Sequence, residues 1–233
     1  MNEKYTYLLV DFFSILFPLV FSFHPRHKFY QQWKALWPSI VLPAAFFIVW
    51  DIWFTDMGVW GFNPRYLSGI YFINLPLEEV LFFICIPYAC AFTYEAVNIL
   101  SKRERVTATT ANRLSELLVV GLLVLAAVNY DKWYTASAFV VCAVLIALHR
   151  WVWKTTYIGR FYFAFLFILI PFFIVNGILT GTGIPEEVVW YNADEFMGIR
   201  MGTIPFEDTF YGMALLLMNV GLFEHFRQRQ TAR

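Results

Sequence analysis

Charge is scarce in this sequence: only 15% of its 233 residues are charged, against 60% hydrophobic and 21% aromatic. A water-soluble domain of this size would expose too much apolar surface to stay dissolved, so lipid is the expected solvent. The formal net charge is zero, which argues against nucleic acid as a partner. Cysteine is nearly absent, and Cys85, Cys90 and Cys142 lie inside apolar runs without zinc or redox spacing, so they read as small buried hydrophobes. No GxGxxG or P-loop motif suggests a dinucleotide or nucleotide site, and no Asp-rich pair at magnesium-diphosphate spacing suggests a prenyl-diphosphate enzyme. The lysines (Lys4, Lys28, Lys34, Lys102, Lys132 and Lys154) all fall outside the apolar runs, which excludes a retinal Schiff base. The first apolar run has neither a basic flank before it nor a small-residue cleavage site after it, so no cleavable signal is expected.

What is present are long apolar runs. A helix needs roughly 20 apolar residues to cross ~30 Å of hydrocarbon. Seven stretches are read as spans, the fourth and fifth of them short: Tyr5–Phe23, Leu36–Phe54, Glu78–Asn98, Leu114–Asn129, Tyr134–His149, Ile158–Leu179 and Glu207–Phe223. The prolines inside them (Pro18, Pro43, Pro87 and Pro171) are tolerated where neighbouring helices satisfy the freed backbone groups. Basic residues set the orientation. Arg26, Lys28, Lys34, Lys102, Arg103, Arg105, Arg113, Arg150, Lys154, Arg160, Arg227, Arg229 and Arg233 fall on one side, and only Lys4, Arg65, Lys132 and Arg200 on the other. The positive-inside rule then puts the N-terminus outside and the C-terminus in the cytoplasm.

A shift of 129 residues lays 63–95 over 192–224 without a gap. Asn63/Asn192, Gly69/Gly198, Ile70/Ile199, Pro76/Pro205, Glu78/Glu207 and Glu95/Glu224 are identical, and Leu77/Phe206, Glu79/Asp208, Phe82/Tyr211 and Tyr94/Phe223 are close. Helices one to three therefore match helices five to seven. A unit with an odd number of spans needs one linking helix to return the chain to the starting side, which makes the copies parallel. The expected fold is all-α and polytopic: a first repeat over 1–100, a linking helix within 101–132, and a second repeat over 133–233.

Each copy carries Pro-x-Glu-Glu (Pro76–Glu79) or Pro-x-Glu-Asp (Pro205–Asp208) where its third helix begins. Proline suits a first helical turn, and acids there meet free N–H groups and the positive end of the helix dipole. One such motif is adequately explained as helix capping. Two, at equivalent positions, point to chemistry. Asp51 and Asp11 also fall inside apolar spans, where an acid normally faces a cavity or a partner. Asp56 is expected to be solvated, Glu95 and Glu224 to reach the interface, and His24, His27, His149 and His225 to be interfacial. Close carboxyl groups in low dielectric suit proton transfer, one acting as acid and one as base. Protonating an alkene makes a carbocation, which aromatic faces stabilise. Trp50, Trp53, Trp60, Phe62, Tyr71, Phe72, Tyr191 and Tyr211 are near enough in sequence to line such a cavity, although an interfacial aromatic belt is the better explanation for most of them.

Three stretches resemble the first domain of the heterodimer-type lycopene cyclases: Asp51-Ile-Trp-Phe, Gly58-Val-Trp-Gly-Phe-Asn-Pro64 and Gly69-Ile-Tyr-Phe-Ile-Asn-Leu-Pro-Leu-Glu-Glu-Val-Leu-Phe-Phe83. Arg200-Met-Gly-Thr-Ile-Pro-Phe-Glu-Asp-Thr-Phe-Tyr211 resembles the partner domain, and the whole resembles the fused single-chain form. The resemblance implies a lycopene β-cyclase, an isomerase of the intramolecular lyase type. It would convert lycopene to β-carotene through γ-carotene, with no net redox change and no cofactor. It implies carotenoid substrates, a lipid environment of the bacterial cytoplasmic-membrane type, and leaves room for association with other carotenoid enzymes. By the same resemblance Glu78 and Glu207 are the leading acid/base candidates, with Glu79 and Asp208 tuning them. Asp51, Arg200, Asn63, Asn192, Trp60, Tyr71, Phe82 and Tyr211 are the expected supporting or substrate-contacting residues. Two other readings stand beside it: a small 3+1+3 transporter, although the chain has no Pro-Gln dipeptide, and a pigment-binding scaffold without activity.

Overall fold

The structure is a computed structural model that describes residues 3–101 and 105–231. Of the basic residues used for orientation, Lys102, Arg103 and Arg233 lie outside the described residues. Seven long helices follow one another: α1 (Thr6–Phe21), α2 (Trp33–Asp56), α3 (Leu77–Leu100), α4 (Ala108–Val128), α5 (Trp133–Ala147), α6 (Ile158–Leu179) and α7 (Phe206–Thr231). Each expected span falls on one of them. α4 begins six residues earlier than its apolar run, because Thr107 caps it by accepting the Thr110 N–H. α5 continues through a π-helical turn, Leu148–Val152.

α1 to α6 are long and apolar enough to cross a membrane, and the chain is an integral membrane protein. α7 falls short of that hydropathy, since it carries Glu207 and Asp208 at one end and Glu224, Arg227 and Arg229 near the other. Its position explains why this is tolerated. α7 packs against α2, α3, α5 and α6, so protein rather than lipid surrounds it. The lipid-facing surface lies on the outer helices, where Phe13 and Phe17 of α1 and Leu117, Val120 and Val128 of α4 are exposed.

α1 packs on α3 as α5 packs on α7, and α2 lies against α7 as α6 lies against α3. The second helix of each copy thus leans on the third helix of the other. Hydrocarbon supplies no hydrophobic drive between helices, so close packing and interhelical hydrogen bonds hold them. Ala138, Cys142 and Ala143 of α5 are fully buried small residues that let neighbours approach. Ser22 and Tyr88 join α1 to α3 at 2.7 Å, and Ser115 and Tyr162 join α4 to α6 at 2.8 Å.

The pseudo-twofold is visible in the loops. β1 (Trp60–Phe62) pairs antiparallel with β4 (Val189–Tyr191), with Gly61 opposite Trp190. These two positions are 129 residues apart, so the axis passes between them. Gly61 has no Cβ because the Trp190 ring lies over it. Asn63 N–H donates to Val188 O at 2.8 Å, and Asn192 N–H to Val59 O at 2.9 Å.

At the opposite, basic end, Glu95 and Glu224 do not reach to an interface as expected. Both are buried, and Arg227 bridges them at 3.1 Å and 2.6 Å. Tyr94 donates to Glu224 at 2.7 Å and Gln32 to Glu95 at 3.0 Å. An acid that far inside a helical bundle is stabilised by pairing, here across the third helices of the two copies. His149 is likewise buried by protein, in the π turn, with Nδ1 3.3 Å from Thr155 Oγ1. His24, His225 and Asp56 are exposed.

Candidate active site

α3 and α7 begin in matching hairpins. β2 (Tyr71–Phe72) pairs with β3 (Leu75–Pro76), and β5 (Arg200–Met201) with β6 (Ile204–Pro205). Pro76 is the cap residue just before α3 rather than part of its first turn, which holds Leu77, Glu78 and Glu79. Successive helical residues point about 100° apart, so the two acids of each motif part company.

Glu78 and Glu207 turn back to the loops. Glu78 Oε1 accepts the Ser68 N–H at 2.7 Å; Glu207 Oε1 accepts the Met197 N–H at 2.9 Å and the Thr135 hydroxyl at 2.5 Å. Both side chains are fully buried, and neither lines the cavity described next. Each acid of the expected leading pair thus ties a loop to a helix start through Oε1, while its Oε2 has no partner among the described residues.

Glu79 and Asp208 turn inward, into a cavity of about 1050 Å³. Asp51, from the far end of α2, joins them there. Tyr7 donates to Glu79 Oε2 at 2.6 Å. Asp208 accepts from the Tyr134 hydroxyl on Oδ1 and from the Tyr191 hydroxyl at 3.0 Å on Oδ2. Asp51 Oδ1 accepts the Trp60 indole N–H, while its Oδ2 has no donor from another residue among those described. The Glu79 carboxyl lines the same cavity. Asp208 differs from Asp51, because both its oxygens are occupied as acceptors of phenol hydroxyls. Tyr191, outside the spanning helices, keeps its proton: burial first, then the neighbouring Asp208, pushes its phenol well above the usual range.

Aromatic rings surround the three acids. Trp60 lies 5.1 Å from Tyr134 and 6.1 Å from Tyr211, edge to face, and Tyr134 stacks on Tyr191 at 5.7 Å. Below them the cavity is apolar, lined along α1, α3, α6 and α7 by residues such as Val10, Phe82, Ile86, Ile168 and Leu215. From Glu79 to Thr93 along α3 it runs roughly 21 Å, at 1.5 Å per residue. Its side is open between α1 and α6. Phe13, Phe17 and Ile174 line it and yet are 64%, 61% and 60% exposed. A lipid-dissolved molecule can enter there without crossing water.

Of the expected supporting residues, Asp51, Trp60, Phe82 and Tyr211 line the cavity, whereas Tyr71, Asn63, Asn192 and Arg200 do not. Tyr71 is exposed on its hairpin. Asn63 accepts the Arg65 N–H and donates to Glu186, and Asn192 accepts the Asp194 N–H and donates to Gly58 O, so both brace turns. Arg200 donates to Thr203 O and lies over the Phe196 ring at 4.8 Å. Trp50 packs behind Tyr211 at 5.3 Å, and Trp53 and Phe72 point outward. Asp11 is buried on α1 one turn from Tyr7, with neither oxygen partnered among the described residues. Sequence reasoning missed Tyr7, Tyr134 and Thr135. The available signal was a tyrosine near the start of the first helix of each copy.

A family model described as lycopene cyclase matches the chain twice in tandem, over residues 4–97 and 131–226, which together make up most of its length. Neither a curated protein nor a solved structure matches it.

Proposed function

The chain belongs to the lycopene cyclase family, with the family's domain twice in tandem, and from that premise we propose that it converts lycopene to β-carotene through γ-carotene in one shared cavity. The observation that carries this reading is the convergence of Asp51 and Glu79 from the first half and Asp208 from the second on one aromatic-walled cavity open to lipid.

The Asp51–Glu79 pair holds a proton and gives it to the terminal double bond of a linear ψ-end. The resulting cation is attacked by the next suitably placed double bond, which closes a six-membered ring and moves the positive charge onto it. Trp60, Tyr134 and Tyr211 present ring faces and edges around that charge while water is excluded. Asp208, an acceptor in its resting hydrogen bonds, takes the proton that leaves, and a β-ring results when that proton comes from the ring carbon bearing the polyene. One proton enters the substrate and one leaves, so no electrons are exchanged. The proton on Asp208 returns to Glu79 across the same end of the cavity after the product departs. A chain with two like ends goes through this twice, and γ-carotene is the product of the first pass.

The remaining assignments follow the same reading. The repeats occupy 1–100 and 133–233 with the linking helix in 101–132. The acid-bearing end faces outward and the basic end, with Arg26, Lys28, Lys34, Arg150, Lys154 and Arg160, faces the cytoplasm. The test is expression in a bacterium that accumulates lycopene, with extracted pigments separated by chromatography. β-Carotene with γ-carotene preceding it is the expected result. Unchanged lycopene, with the protein folded in the membrane, would overturn the assignment. Cyclised product also separates an enzyme from a pigment-binding scaffold or a carrier.

A further inference from the structure

The two hairpins that lead into α3 and α7 share a backbone and differ in what they present. Ile73 has φ 60°, and Gly202, at the equivalent tip position, has φ 66°. Glycine adopts this left-handed conformation freely, and a β-branched residue is an outlier in it, so the turn itself does not call for isoleucine. Ile70, Tyr71, Phe72 and Ile73 form an unbroken apolar run, 58%, 49%, 53% and 72% exposed. Their counterparts are Ile199, Arg200, Met201 and Gly202, and Arg200 folds back onto Thr203 O and the Phe196 ring. The first tip is tied to α2, since Asn74 Nδ2 donates to Ile52 O at 2.9 Å. Beside it α2 exposes Phe46, Val49 and Trp53 at helical spacing, one lipid-facing stripe ending in an interfacial tryptophan. The exposed hairpin run extends that stripe past the end of the helix.

We infer that the β2–β3 hairpin dips its tip into the boundary between lipid headgroups and acyl chains and acts as a depth anchor for the acid motif beside it. Leu77 N–H donates to Ile70 O at 2.9 Å, and Ser68 N–H to Glu78 at 2.7 Å, so the hairpin and the first turn of α3 move as one piece. That piece carries Glu79. Burial of the Ile73 side chain in lipid offsets its unfavourable backbone conformation. The β5–β6 hairpin, with arginine and glycine at the matching positions, stays at the water surface. The anchor is independent of which substrate the cavity takes.

The full chain, with Tyr71→Cys or Arg200→Cys carrying a nitroxide, is reconstituted in phosphatidylcholine–phosphatidylglycerol vesicles. The label is read against the unsubstituted chain, in which Cys90 and Cys142 are buried and Cys85 is half-buried, and Cys85 is replaced by Ala in both labelled chains. Spin relaxation by oxygen, which concentrates in hydrocarbon, is compared with relaxation by a water-soluble nickel chelate. The label at 71 is expected to favour oxygen and the label at 200 nickel. Equal access to nickel at both positions overturns the anchor, and so does shielding of position 71 from both reagents, which would mean that protein covers the tip. Ile73→Gly keeps the turn, as Gly202 demonstrates, and removes the anchor. It should fold and raise nickel access at position 71 by about twofold or more. No change there would also overturn the proposal.

Discussion

In the first half of this protein a carboxyl pair, Asp51 with Glu79, faces the cavity; in the second half Asp208 stands there without a second acid, held by two tyrosines. The residue 129 positions on from Asp51 is Thr180, and the counterpart of Tyr211 is Phe82. At several positions that build the loops and helix starts the halves agree closely. Asn63 and Asn192 brace the same turn, Gly69 and Gly198 share φ 87° and 81°, and Glu78 and Glu207 each accept a backbone N–H from the preceding loop. Identity between the copies therefore tracks what builds the scaffold. The acids that face the cavity are among the positions that differ. A duplicated unit of this kind can give one half a proton to donate and the other a place to receive it, which two identical halves could not do as well.

The largest effects should come from breaking that division. Asp51→Asn and Glu79→Gln are each expected to lower lycopene conversion by about 10²- to 10⁴-fold, the usual contribution of a general acid or base. Asp208→Asn should do the same. In all three, both cyclisations should slow together, because they share one cavity, so most lycopene stays unconverted and the γ-carotene that forms still goes on to β-carotene. If Asp208→Asn instead consumed lycopene at the normal rate and stopped at γ-carotene, each half would hold its own site and the comparison would fail.

The same comparison explains what could be read from the residues alone. The helices were legible because hydrocarbon thickness and apolar run length are coupled, and the repeat because identical residues recur at one spacing. The repeat also drew attention to Glu78 and Glu207, which are identical, over Glu79 and Asp208, which are not. Which of two adjacent acids faces a cavity depends on how a helix is rotated against its neighbours, and that is a property of packing. Tyr7 and Tyr134 escaped for a related reason. They meet their acids 72 and 74 residues away, and they are 127 residues apart, two short of the shift that aligns the loops. Asp51 stood out because an acid in an apolar span is conspicuous. The exposed positions of Trp53, Tyr71 and Phe72 fit the interfacial belt that the same aromatic count allowed.

Smaller effects sharpen the asymmetry. Tyr134→Phe removes one hydroxyl from Asp208, and a hydrogen bond to a charged group is worth about 1.5–3 kcal/mol. A fall in kcat of about tenfold or more with KM unchanged is expected from initial rates in lipid vesicles. Glu78→Ala and Glu207→Ala test the shared scaffold instead. Each leaves a backbone N–H without its acceptor and should destabilise by about 1–3 kcal/mol in thermal unfolding, Glu207→Ala more than Glu78→Ala because it also frees the buried Thr135 hydroxyl. The protein that remains folded should keep its turnover per molecule. A turnover loss as deep as that of Glu79→Gln would return these two acids to the reaction.

The smallest expected effect lies on the axis itself. Gly61 and Trp190 occupy equivalent positions and face each other in the β1–β4 pair, so one must be small for the other to be large. A methyl at Gly61 would overlap the Trp190 ring, but that ring is partly exposed and can swing outward, which keeps Gly61→Ala near the low end of overpacking, about 1 kcal/mol. Trp190→Ala should remove the overlap, so the double variant should be no less stable than Trp190→Ala alone. That non-additivity, read from a double-mutant cycle of unfolding midpoints, is the signature of direct contact. Strictly additive losses would mean that the two halves do not close on each other at this point, and that the acids they bring together are held by the helices alone.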